Sequence, residues 1–249
     1  MTLKTAIDIS NWSGEVTEAQ FKAARLAGCS RVIVALNNLP LAQRQLRNAV
    51  AAGLETQVYI YYYFAQNVAD RTRSCLAAIE GLPVKRVWID CEDEKHSLEA
   101  RYLANRIRVT RDLIRTLGYE PGIYTAAWWW NKYMAGITEF ADLPLWDALW
   151  DKDADIDAVK YGGWVTPEMS QHTNDTHFAG IWCDINSYRG AAVPGQPPVA
   201  VPTEQPPVSD LTAALAALAQ VDRDLDLITG TVTATKQRIA LVRQRIQEG

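Results

Sequence analysis

The chain has 249 residues, 48% of them hydrophobic, four cysteines and a formal net charge of −4. That is apolar surface enough for one large domain that needs no disulfides, and the mild negative charge gives no electrostatic case for nucleic acid. No stretch is apolar and long enough to span a membrane, and Met1-Thr2-Leu3-Lys4 does not open a signal peptide. Synthesis in a reducing cytoplasm, with action outside after release, is therefore the expectation, with Cys29, Cys75, Cys91 and Cys183 reduced.

Along residues 1–190, short β-branched apolar runs alternate with segments of helical period. Strands are predicted at Thr5–Ser10, Arg31–Leu36, Thr56–Tyr63, Arg86–Glu92, Pro121–Thr125, Leu145–Trp150, Met169–Thr173 and Ile181–Asn186. Helices are predicted at Thr17–Ala27, Leu41–Ala52, Ala69–Glu80 and Leu98–Leu117, with Gly28, Gly53 and Gly118 as stop signals. After Thr125 the helices shorten or vanish and aromatic loops take over. Eight strands with an incomplete helix set predict an α/β fold, an irregular (β/α)8-like barrel with reduced helices in its second half.

From 191 to 208 the chain turns proline-rich, reading as an extended semi-rigid linker. Ser209 or Asp210 then caps a predicted helix reaching about Gln247. Leu211, Leu218, Leu225, Val232, Ile239 and Ile246 form one heptad seam; Ala214, Val221, Ile228, Thr235 and Val242 form the other. Residues 209–249 thus read as a coiled-coil helix that makes the protein a homo-oligomer through 209–247, of open strand number and direction.

Chemistry concentrates where acids interrupt apolar runs. In Val87-Trp88-Ile89-Asp90-Cys91-Glu92 the period-two alternation of a strand sends Asp90 and Glu92 out of one face. Two carboxyls side by side at the edge of a core raise one another's pKa, so one stays protonated and the other ionised near neutral pH. That pairing suits glycosidic bond cleavage. Asp8 and Asp184 stand in equivalent places in the first and last predicted strands, and a parallel barrel would bring all four to one mouth. An acid at a strand end is also a common loop or helix cap, so the joint appearance carries the reading.

Aromatic residues crowd the same layers, and sugar rings lie flat on aromatic faces. Trp12, Tyr62, Tyr124, Trp128, Trp129 and Asn186 are the candidate substrate contacts; the consecutive Trp128, Trp129 and Trp130 cannot all face inward. His96, His172 and His177 have no metal-site spacing, and no nucleotide or nucleophile motif is present, so neither metal nor cofactor is expected.

Six ordered segments resemble the Chalaropsis-type muramidases, the lysozymes of glycoside hydrolase family 25. Asp8-Ile9-Ser10-Asn11-Trp12 is similar to their opening Asp-x-Ser-x-Trp, and Ala51-Ala52-Gly53-Leu54 to their Ala-Gly-Leu. Tyr62-Tyr63-Phe64 stands at Tyr-His-Phe, and Asp90-Cys91-Glu92 at Asp-x-Glu. Gly122-Ile123-Tyr124-Thr125 and Asp184-Ile185-Asn186 complete the set. The resemblance implies hydrolysis of the β-1,4 bond between N-acetylmuramic acid and N-acetylglucosamine in bacterial peptidoglycan, in the manner of a phage endolysin or a virion-associated lysin. It makes Glu92 the general acid and Asp90 the partner of the substrate's 2-acetamido group. Asp8 and Asp184 become keepers of the charge balance, and Tyr62 a wall of the cleft. Val34-Ala35-Leu36-Asn37-Asn38 departs from the usual Lys-Ala-Thr-Glu-Gly. That departure leaves open another N-acetylglucosamine polymer as substrate, or a non-catalytic wall-binding or virion module.

Overall fold

A computed structural model describes residues 3–150 and 156–189. The predicted linker and coiled coil lie outside the described residues. Within them are nine strands and five α-helices, and the first four strands and first four α-helices alternate as the hydrophobic pattern predicts. The order is β1 (Leu3–Ile9), α1 (Glu18–Leu26), β2 (Cys29–Ala35), α2 (Leu39–Ala51), β3 (Glu55–Tyr61), α3 (Val68–Ala78), β4 (Arg86–Asp90) and α4 (Ala100–Thr116). Local chemistry sets these boundaries. Thr17 and Gln20 cap α1 reciprocally, and Asn38 and Asn67 accept backbone N–H groups at the starts of α2 and α3.

The second half holds β5 (Glu120–Thr125), the short α5 (Ala127–Tyr133), β6 (Leu145–Ala148), β7 (Met169–Gln171), β8 (Thr176–Phe178) and β9 (Ile181–Arg189). Strands β1 to β7 run parallel to one another, and β9 pairs with both β7 and β1 to close an eight-stranded barrel. This is the predicted irregular barrel with one correction: β9 is antiparallel to its neighbours. Residues 172–180 must also accommodate β8, which leaves no room for the roughly dozen-residue crossover that a parallel return needs. A tight turn through Ala179 and Gly180, both at positive φ, folds β8 onto β9 instead.

Two apolar layers hold this shell. Outward-facing Ile7, Val32, Val34, Val58, Ile60, Val87, Ile89 and Ile123 pack against residues of the surrounding helices. Inward-facing Ala6, Ile33, Trp88, Tyr124, Trp146, Met169 and Tyr188 fill the lumen. The Trp88 ring fits because β5 carries Gly122 opposite it; a Cβ there would lie 2.5 Å from the indole. The buried indoles are satisfied as well as packed: Trp88 Nε1 donates to Gln57 at 2.7 Å and Trp146 Nε1 to Asn186 at 2.8 Å. All four cysteines are buried and free. Among the described residues no helix is long and apolar enough to cross a membrane.

Candidate active site

The lumen is plugged by aromatic rings below and opens above into a cavity of about 600 Å³. Asp8, Asp90, Glu92 and Asp184 all line it. Asp8 and Asp90 sit at or near the C-terminal ends of β1 and β4, and Glu92 two residues past the end of β4. Asp184 gets there by the opposite route. It lies in the first half of β9, and because that strand is reversed its early residues meet the same mouth, with Asp184 directly across from Asp8.

Hydrogen bonding separates the four. Asp8 Oδ1 accepts from Asn186 Nδ2 at 2.8 Å and Gln171 Nε2 at 3.0 Å. Asp184 accepts from the Asp175 backbone at 2.7 Å and from Gln171 at 3.3 Å. Gln171 is in turn oriented by Tyr124 Oη and Trp150 Nε1, which both donate to its Oε1. Asp90 is almost fully buried, and its Oδ1 has no hydrogen-bond partner. Glu92 is partly buried on an otherwise fixed loop. The adjoining Asp93 is buried and accepts from the backbone N–H groups of Phe64 and Lys95, while its own carbonyl receives Trp129 Nε1.

Crowded carboxyls without counter-charges hold protons tightly. Burial, then the Asp184 charge, raises Glu92 to about 7. Burial and Asp184 likewise raise Asp8 to about 7, against the opposing pull of its two amide donors. Burial lifts Asp184 to about 6, and burial with Glu92 and Asp8 pushes Asp90 well above the carboxylate range. A group that is partly protonated at neutral pH can donate a proton to a departing alkoxide and take one back.

The other sequence candidates divide. Trp12 lines the cavity from the single 3₁₀ turn after β1, 83% exposed. Asn186 is buried behind Asp8 and orients it. Tyr62 does not reach the cavity: it continues the outward face of β3 after Val58 and Ile60, and its hydroxyl pairs with Thr72 in the core. Its neighbours Tyr59, Tyr61 and Tyr63 take the lining positions instead. Tyr124 fills the lumen beneath the site, its ring tilted against that of Trp146. Trp129 is core, and Trp128 is half-exposed away from the cavity lining, because α5 turns their side chains in different directions. Asn37, Gln66, Arg71, Asp175 and Trp182 also line the cavity; of these, sequence reading marks only the segment of Asn37, as a departure from the family pattern. Trp182, two residues before the motif acid Asp184, also carried a signal. Among the described residues no group of three or more acid, cysteine or histidine side chains is arranged to hold a metal.

Known proteins resemble this chain in sequence and in fold. A probable GH family 25 lysozyme 4 of Dictyostelium discoideum is 30% identical over 103 residues, which are 41% of this chain and 48% of that protein. A probable GH family 25 lysozyme 2 of the same organism is 26% identical over 197 residues, 74% of this chain and 90% of that protein. The structure of a GH25 lysozyme from Aspergillus fumigatus superposes with a TM-score of 0.63 at 19% identity, covering 76% of this chain and 95% of that one. The family model for glycosyl hydrolases family 25 matches residues 7–181, a span running from the strand of Asp8 to the first residue of β9, and the chain belongs to that family.

Proposed function

We propose that the chain is a lysozyme, an N-acetylmuramidase that cuts the β-1,4 bond between N-acetylmuramic acid and N-acetylglucosamine of bacterial peptidoglycan. One observation carries this: four carboxyls converge on one open cavity with no cation among the described residues paired to any of them, and Glu92 among them is raised to about 7. The lysozyme names of the relatives agree with it. Glu92 protonates the leaving glycosidic oxygen. The carbonyl oxygen of the substrate's own 2-acetamido group attacks the anomeric carbon as that bond breaks. Asp90, which lines the cavity, accepts the acetamido N–H, and its ionised form is favoured as positive charge builds there. Glu92, now a carboxylate, deprotonates the water that opens the intermediate, so configuration is retained. Asp8 and Asp184, held by Gln171 and Asn186, keep the cavity's charge and shape.

The heptads of 209–247 support a lysin that works as a multimer on the wall after release, and sedimentation of the full chain at a multiple of 27.8 kDa is the expected result. Digestion of purified peptidoglycan with mass analysis of the new ends tests the activity. Reducing N-acetylmuramic acid is expected. N-acetylglucosamine ends would make the enzyme a glucosaminidase, and no product would make the chain a wall-binding module.

A further inference from the structure

Asp8, Asp90, Glu92, Asp175 and Asp184 line the cavity, and against them Arg71 is the one lysine or arginine among the described lining residues. Such a mouth repels an acidic polymer unless some part of it offers positive charge. Arg71 lies in the first turn of α3 and leans across to the end of β2. Its Nη2 donates to Leu36 O at 3.3 Å and to Asn37 Oδ1 at 3.0 Å. Both acceptors are neutral, so they fix the guanidinium without cancelling its charge. Its Nε is buried without an acceptor, and among the described residues no carboxylate lies within ion-pair distance of it. An arginine held partly buried, aimed at a cavity and left without an anion is half of a recognition pair. Its Nη1, neither buried nor hydrogen-bonded among the described residues, is the donor left for a carboxylate as a charge-assisted hydrogen bond.

We propose that Arg71 is the specificity residue of this site, receiving a carboxylate carried as a substituent on the glycan and so selecting an acidic wall polymer over a neutral one. This rests on the peptidoglycan reading above. Two groups of that substrate carry the same chemistry, the carboxylates of the peptide stem and the lactyl carboxylate of a muramic acid stripped of its stem.

Four soluble tetrasaccharide probes separate these possibilities with the full chain: one with stems, one with free lactyl groups, and the methyl ester of each. For the carboxylate that Arg71 reads, esterification should raise the wild-type KM about 10- to 100-fold, the span of a lost charge-assisted hydrogen bond, with kcat within about twofold. Arg71→Gln should show that raised KM on the acid and no further change on the ester, with Arg71→Lys between. Asn37→Asp keeps the arginine but supplies an internal carboxylate, and should imitate Arg71→Gln. It also decides the matter should Arg71→Gln not fold. Equal KM for acid and ester in the wild type overturns the proposal, as does an Arg71→Gln loss of the same size on both. Calorimetric binding reads the same contrast without turnover. A wild type that binds the acid over the ester and cleaves neither sinks the hydrolase reading and leaves Arg71 standing. One that cleaves both alike does the reverse.

Discussion

The two ends of the barrel hold the same kinds of side chain to opposite effect. At the closed end, where the parallel strands begin, Arg31 meets Glu55 at 2.9 Å and Glu168 at 3.7 Å, and Arg86 meets Glu120 at 3.2 Å and Glu168 at 3.8 Å. The Arg31 guanidinium also lies 3.7 Å over the Tyr188 ring, which seals the lumen from below. Acids there have cations within ion-pair reach. At the open end, Asp8, Asp90, Glu92 and Asp184 have amide donors or one another, and every one is raised. Counter-ions make an acid structural; withholding them leaves it reactive, at a cost to the fold.

The sharpest way to break that contrast is Glu92→Gln. It removes the proton donor while keeping shape, and turnover should fall about 10²- to 10⁴-fold, the range for a positioned general acid. The glycan affinity and the melting temperature should not fall with it. Near wild-type release of reducing ends by this variant would contradict the role given to Glu92.

The same groups write a pH signature on stability. Folded Asp8 and Glu92 titrate at about 7, against ordinary values of 3.8 and 4.5. Between those limits the folded state keeps protons that the unfolded chain has released. The stabilisation is complete below about pH 4 and is lost as pH rises through about 7; raised Asp184 acts in the same direction. The melting temperature should therefore decline from pH 5 to pH 8, and Asp8→Asn and Glu92→Gln should each flatten the decline. Turnover should drop over the alkaline part of that window as Glu92 ionises. Parallel calorimetric slopes for wild type and both variants would locate the pH sensitivity outside the mouth.

At the closed end the expectation is reversed. Arg31→Met leaves Glu55 and Glu168 without their shared partner and should cost about 1–3 kcal/mol, since Glu55 stays half-exposed and rehydrates. Turnover per folded molecule should stay within about twofold. A large loss of kcat with unchanged stability would show that the two ends are coupled rather than separate.

How much of this was legible in the sequence follows from what each pattern encodes. Apolar runs broken by acids at their ends gave both the strands and the four carboxyls, because a buried strand tolerates a charge only where it leaves the core. Direction is not encoded in such a run: Ile181–Asn186 reads the same forwards or reversed, and only the short 172–180 connection decides it. Nor can phase be read from Tyr61-Tyr62-Tyr63, where three identical residues hide which side faces in. Extending the alternation from Val58 and Ile60 onto Tyr62 is what assigns it to the core. Arg71 was invisible for another reason. Within Asp70-Arg71-Thr72-Arg73 it looks like part of a solvated helix face, and its value depends on α3 leaning over the end of β2.

That phase makes the smallest and most discriminating prediction. Tyr62→Phe removes a buried hydroxyl that pairs with Thr72 Oγ1, itself a donor to Val68 O in the first turn of α3. About 1 kcal/mol of stability should go, with KM unchanged. Tyr63→Ala takes a half-exposed ring from the cavity wall, where it meets Tyr61 edge to face with centroids 5.0 Å apart. It should raise KM for the glycan several-fold, as expected for one lost aromatic platform of about 0.5–1.5 kcal/mol, and leave the melting temperature nearly untouched. Adjacent tyrosines would then separate fold from binding along a single strand. Should Tyr62→Phe instead raise KM while Tyr63→Ala destabilised the fold, β3 would have to be rephased by one residue. Tyr59 and Tyr61 would then leave the mouth along with Tyr63.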